Sequence, residues 1–253
     1  MRKKEIIINN FDNFTEFLDF VTKNSLEGGR SKFNGNKDFF GTENFGDALK
    51  LAKTGYKQNL ETFSKMIKES EIQKIDTETV RDTTGMYFDI GDVITGAPEC
   101  WYSEESTSAK NTYSIYIECG YDYTIKTDEI LKRGAKILSY IDKLHNDGNI
   151  VDIYITFNGF YHGKFEQKEF TTIKLPSKPF DIDLYCYIIS HPSFFRRIGF
   201  AYHEIIFKDI SAPARTRPQR WLPIEIEGIY IPSITYGSSV EKYFEVQEDV
   251  PNE

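Results

Sequence analysis

The chain holds 253 residues, 40% hydrophobic and 15% aromatic, which is enough apolar surface for a packed core and excludes a fully disordered chain. A net charge of −8 and a pI near 5.2 argue against the whole surface as a nucleic-acid binder. No apolar run approaches the ~18 residues of a membrane span. The stretch Ile6-Ile7-Ile8 is too short for a signal-peptide core, and the three cysteines form neither CxxC nor an even framework.

The first third is predicted to be helical. Asp12 or Asn13 can cap a helix whose Phe14, Phe17, Leu18 and Val21 form one stripe. A polar, glycine-rich loop over 26–41 follows, with no periodicity. Phe45, Ala48, Leu49 and Ala52 predict a second helix, stopped by Gly55, and Leu60, Phe63 and Ile67 a third over 57–70. Met86, Phe88 and Ile90 alternate as a short strand. Gly96 and Pro98 then make a turn that presents Glu99 and Trp101.

Residues 112–125 alternate throughout, with Ile115, Ile117 and Cys119 on one face and Tyr116, Glu118 and Asp122 on the other. Thr127 caps a helix that carries Asp128 and Glu129 in its first turn and ends at Asp147-Gly148. A strand over 151–157 follows, then a hairpin at Asn158-Gly159 and a return strand over 164–175. Asp181 or Asp183 caps the next helix. His191-Pro192 breaks it, and a further helix starts at Ser193. The last strand, 224–231, changes phase across Gly228.

Residues 112–231 therefore run strand, helix, strand, strand, helix, strand. That is the order of a ferredoxin-like α+β fold, an antiparallel split-βαβ core. Residues 1–80 form an N-terminal helical region, and 81–253 form the core with an acidic tail.

Four constellations could carry chemistry. Glu118, Asp122 and Asp152 lie on the polar sheet face, where carboxylates on neighbouring strands can hold metal ions; the alternative is a wet face. Tyr116 and Tyr154 sit on adjacent strands, as base-stacking aromatics do, although the flanking acids repel phosphate. Between Phe194 and Trp221 stand Arg196, Arg197, Arg215, Arg217 and Arg220, with Lys208 and only two acids. That basic segment fits an anion, a nucleic acid, or the acidic remainder of the chain or of a second subunit. A stripe of Phe195, Ile198 and Tyr202 faces the sheet and aims at least one of Arg196 and Arg197 outward. The four histidines show no HExxH or HxH spacing, with His203 and Glu204 on different helix faces. No cofactor fingerprint occurs.

Two segments carry a resemblance. Asp92-Val93-Ile94-Thr95-Gly96-Ala97-Pro98-Glu99-Cys100 is one. His191-Pro192-Ser193-Phe194-Phe195-Arg196-Arg197-Ile198-Gly199-Phe200-Ala201 is the other. With residues 45–52 and 133–138, they resemble signatures of a family found in bacteriophages and related mobile elements, over roughly residues 39–234. The resemblance implies a phage setting, in host cytoplasm or virion, and transfers no catalytic residue. The expected function is non-enzymatic binding or assembly through protein contacts, including self-association, with Glu99, Trp101, Trp221 and the arginines as contact residues. Single-stranded nucleic-acid binding is the alternative, and metal-dependent phosphotransfer at Glu118, Asp122 and Asp152 a third. No cofactor and no membrane are expected.

Overall fold

A computed structural model describes residues 4–57, 80–82, 87–88, 90–97, 100–103, 111–146, 149–162, 166–176, 181–218 and 228–234. The chain begins with a strand, β1 (Lys4–Phe11), and not with a helix. The first helix, α1 (Phe14–Asn24), follows, capped by the Asn13 side chain, which accepts from Glu16 N at 2.8 Å. The next helices are α2 (Lys37–Phe40) and α3 (Phe45–Thr54), the latter capped by Asn44 and stopped at Gly55. The expected 57–70 helix lies outside the described residues. β2 (Val80–Asp82), β3 (Tyr87–Phe88) and β4 (Trp101–Ser103) form a small sheet, with α4 (Ile90–Thr95) between β3 and β4 in the chain.

The main sheet contains β5 (Thr112–Glu118), β6 (Ile150–His162), β7 (Glu166–Lys174), β8 (Thr216–Pro218) and β9 (Ile229–Ile231), together with β1. Helix α5 (Thr127–Asn146) joins β5 to β6. Helix α6 (Ile182–Ser190), a π-helical stretch (Phe194–Gly199), α7 (Phe200–Phe207) and the short α8 (Ala212–Arg215) follow β7.

The fold is a mixed α/β structure with a mostly parallel six-stranded sheet, in the order β1-β7-β6-β5-β9, and β8 added to β6. This corrects the ferredoxin-like expectation. The elements do alternate as predicted, but the α5 crossover seats β6 directly beside β5 and parallel to it. A ferredoxin-like sheet needs the return strand in that slot. Strand β9 is also parallel to β5, and β1 is parallel to β7.

Apolar residues of alternate phase, Ile115, Ile117, Ile153, Ile155, Phe157 and Ile173, join the helices in one core cluster. Phe157 is at its centre, with its ring within about 6 Å of the rings of Phe17, Phe194, Phe195, Tyr202 and His203.

Two strand lengths create the site. Strand β5 stops at Glu118, opposite Thr156, whereas the expected strand ran to residue 125. Strand β6 runs on to His162, through the Asn158-Gly159 pair where a hairpin was expected. With β7 along one edge, β5 and β8 must share the other edge of β6, end to end. β8 begins pairing only at Gly159, so Phe157 and Asn158 face a gap in the strand layer. Gly159 is required there, because a Cβ would lie 2.6 Å from Thr216 Cγ2.

Candidate functional site

His191 is extended (φ −93°, ψ 125°), as the following proline demands, and the chain then winds as a π-helix through Phe194–Gly199. This winding directs two consecutive arginines at the loop before α3. Arg197, 0% exposed, donates to the carbonyls of Ser31, Phe33, Gly35, Thr42 and Glu43, and its guanidinium lies 3.9 Å from the Phe40 ring centre. Arg196 donates to Phe39 O at 2.9 Å and to Ile125 O at 2.7 Å, over the Phe39 ring. About two turns on, Glu204 accepts from Ser31 N at 2.9 Å and Ser31 Oγ at 2.6 Å. Gly29 is tied to this arrangement, since a Cβ there would meet the Glu204 carboxylate. Backbone carbonyls carry no net charge, so these contacts shape a loop without neutralising either guanidinium.

The clamped loop is one wall of a cleft of about 1230 Å³. Arg30, Phe33, Asn34, Asn36, Phe39 and Phe40 form that wall; residues 120–124 form the second, and Pro213, Ala214, Thr216 and Arg217 the third. The floor is the strand gap, with Glu118, Phe157, Asn158, Phe195, Arg196, Phe200 and His203. The Asp122 carboxylate shapes the second wall by accepting from Thr124 N and Thr124 Oγ1.

Buried groups set the electrostatics of the floor. Glu118 accepts from Gly120 N, Thr156 Oγ1 and Tyr230 OH, yet burial pushes its carboxyl up to about 8, with Glu169 adding to the rise. It is therefore largely protonated at pH 7. His203 Nε2 lies 3.0 Å from Glu169 Oε2, an ion-pair distance without hydrogen-bond alignment. Burial lowers Arg196 to about 10, still charged at neutral pH.

Glu118 yields a signed pH prediction. Its folded pKa lies above the unfolded value of about 4.3, so between that value and about 8 the native state holds the extra proton. Its stabilising contribution is full below the unfolded pKa and is lost as pH rises through that window. Buried His145 and His191, lowered to about 4, act with the opposite sign between about 4 and the unfolded histidine value near 6.5. Subtraction removes their share: the stability of Glu118→Gln relative to wild type is expected to rise from pH 5 to about pH 8 and to level off above it in urea titrations. A flat difference contradicts the assignment.

Several predicted residues fall elsewhere. Arg196 and Arg197 are buried and bonded within the chain, not aimed outward. Arg215 pairs with Asp209 at 3.2 Å, and exposed Arg217 reaches the cleft. Glu99, Arg220 and Trp221 lie outside the described residues. Trp101 packs on Phe88 in the small sheet, 5.4 Å between ring centres. Asp152 pairs with Lys174 opposite Ser114, four β6 positions from Thr156, so it stands roughly 13 Å along the strand from Glu118. Among the described residues no group of three His, Cys, Asp or Glu is placed to hold a metal ion. Tyr116 and Tyr154 stack on each other at 4.8 Å. The buried thiols of Cys119 and Cys186 are pushed up to about 12, so neither serves as a thiolate nucleophile at neutral pH. Arg30, Phe33, Tyr123 and Glu169 carried no sequence signal as site residues: Arg30 and Phe33 fall on an aperiodic loop, Tyr123 falls within the alternation of the expected 112–125 strand, and Glu169 reads as an ordinary strand residue.

No described helix is long and apolar enough to cross a membrane. No curated protein and no solved structure matches the chain. A family described as a domain of unknown function (DUF7192) matches residues 2–248, and nothing in that match ties it to bacteriophages or mobile elements. With nearly its whole length matched, the chain belongs to the DUF7192 family.

Proposed function

We propose that the protein acts by binding rather than catalysis, and that an acidic segment of a protein partner docks in the cleft. The observation that carries this reading is the composition of the mouth. Phe33 and Tyr123 are 57% and 77% exposed there, beside the exposed Arg30 and Arg217. Aromatic residues and arginine dominate binding energy at protein interfaces. The lining brings Arg30, Arg196 and Arg217 against Asp122 and a largely protonated Glu118, a cationic cleft on a chain of net charge −8. A phage setting, in host cytoplasm or virion, belongs to this reading through the sequence resemblance alone.

Single-stranded nucleic acid is the second reading, favoured by the same arginines and rings. It is weakened by the burial of Arg197 beneath its five carbonyl acceptors, which removes one predicted cation from the surface it would use.

Fluorescence anisotropy with a labelled peptide alternating Glu with Leu and Phe tests both. Saturable binding is expected, weakened about tenfold or more by Arg217→Glu and by Tyr123→Ala. Absence of peptide binding, or binding indifferent to both substitutions, overturns the docking reading. Tighter binding of labelled oligo-dT, lost in Arg217→Glu and falling steeply with salt, selects the nucleic-acid reading instead.

A further inference from the structure

Arg196 is 3% exposed and still lines the cleft floor. A guanidinium offers five N–H donors, and Arg196 donates to the carbonyls of Phe39 and Ile125. Among the described residues no carboxylate lies within ion-pair distance of it; Asp122 acts on it only from further away. Arg197, by contrast, is enclosed by five carbonyls and does not line the cleft. A buried cation without a counter-charge is costly to a fold unless something else supplies that charge. Arg196 borders open volume from which it can be supplied. His203, on the same floor, brings two buried ring nitrogens without an aligned hydrogen bond.

We propose that the floor of the cleft is a carboxylate-recognition site, in which Arg196 pairs with an Asp or Glu side chain of the docked segment. This rests on the docking reading above and names the group it recognises. The planar fork of a guanidinium matches a carboxylate in two-point contact. A monoanion is favoured over a phosphate because the Asp122 carboxylate borders the same volume and repels a second negative charge.

The test follows the Arg196 Nε–H resonance of the labelled full chain. The probes are N-acetyl-glutamate methylamide, its glutamine counterpart and inorganic phosphate. The glutamate probe is expected to move that resonance saturably, with the glutamine probe and phosphate weaker by about tenfold or more. Arg196→Lys, checked for folding by circular dichroism, is expected to weaken the glutamate probe by a similar factor of about ten. If that variant does not fold, the wild-type titration alone decides.

Equal responses to the glutamate and glutamine probes, tighter phosphate binding, or a stationary Arg196 resonance overturns the proposal. The two readings can fail separately. An acidic peptide that docks through Arg217 but binds equally after Glu→Gln exchange sinks the carboxylate site and leaves docking intact. A saturable Arg196 response to the glutamate probe without any peptide docking does the reverse.

Discussion

Arg197→Met is expected to lower the unfolding free energy by about 3–5 kcal/mol, among the largest single effects available in this fold. Methionine fills similar space but donates no hydrogen bond. The carbonyls of Ser31, Phe33, Gly35, Thr42 and Glu43 then lose a shared donor group inside the protein. Each buried acceptor left without a partner costs about 1–3 kcal/mol before relaxation, and water entering the opened loop recovers part of that sum. Arg197→Lys is expected to recover only part of the loss, since an ammonium cannot reach five acceptors held around a planar fork. Urea midpoints at constant slope measure both, and amide exchange over residues 31–43 is expected to accelerate in the Met variant. A loss below about 1 kcal/mol means that the loop is held by something else.

Phe157→Ala is expected to cost about 3–5 kcal/mol, the range for a large ring removed from a packed core. Phe157 is 1% exposed and touches rings contributed by α1, the π-helical stretch and α7, so no single neighbour can move in to fill its space. Phe157→Leu keeps most of the volume and is expected to cost nearer 1–2 kcal/mol. The two variants separate core packing from cleft shape. Both change the cleft floor, but only the alanine variant opens a large cavity beneath it. Guanidinium unfolding supplies the comparison, and equal losses for the two contradict the central placement of this ring.

Helical elements were legible wherever a stripe and a cap coincided. The Phe14, Phe17, Leu18 and Val21 stripe of α1 is buried as its spacing predicts, and Asn13 caps it. Helix α3 ends at Gly55 as its stop signal predicts, and α6 is capped by Asp181, one of the two expected caps. The sheet was less legible, because strand order is decided by partners far along the chain. Nothing local to Ile6-Ile7-Ile8 says that β1 lies beside β7, whose residues are some 162 positions away. Asn158-Gly159 carries a strong turn signal, yet the glycine serves a different need: it lets the Thr216 methyl approach β6.

Arg196 and Arg197 show the same limit at the site. The apolar stripe of their segment identifies the side facing the sheet, but not what covers the opposite side. Here residues 29–43 cover it and turn two charged side chains into a clamp and a cleft floor. A helical reading at 100° per residue also misses the π winding of Phe194–Gly199. Arg30 and Phe33 lie on an aperiodic loop and Arg217 in one short strand, where pattern gives no bearing, and the alternation that includes Tyr123 runs on past the end of β5 at Glu118.

Chemical-shift mapping of the labelled protein with the Glu, Leu and Phe peptide tests the central claim most directly. Docking in the cleft predicts saturable shifts confined to residues 30–40, 120–124 and 213–217 and to the floor residues Arg196 and His203. Shifts centred instead on the Tyr116–Tyr154 face or on the β1 edge, or no shifts at all, contradict it.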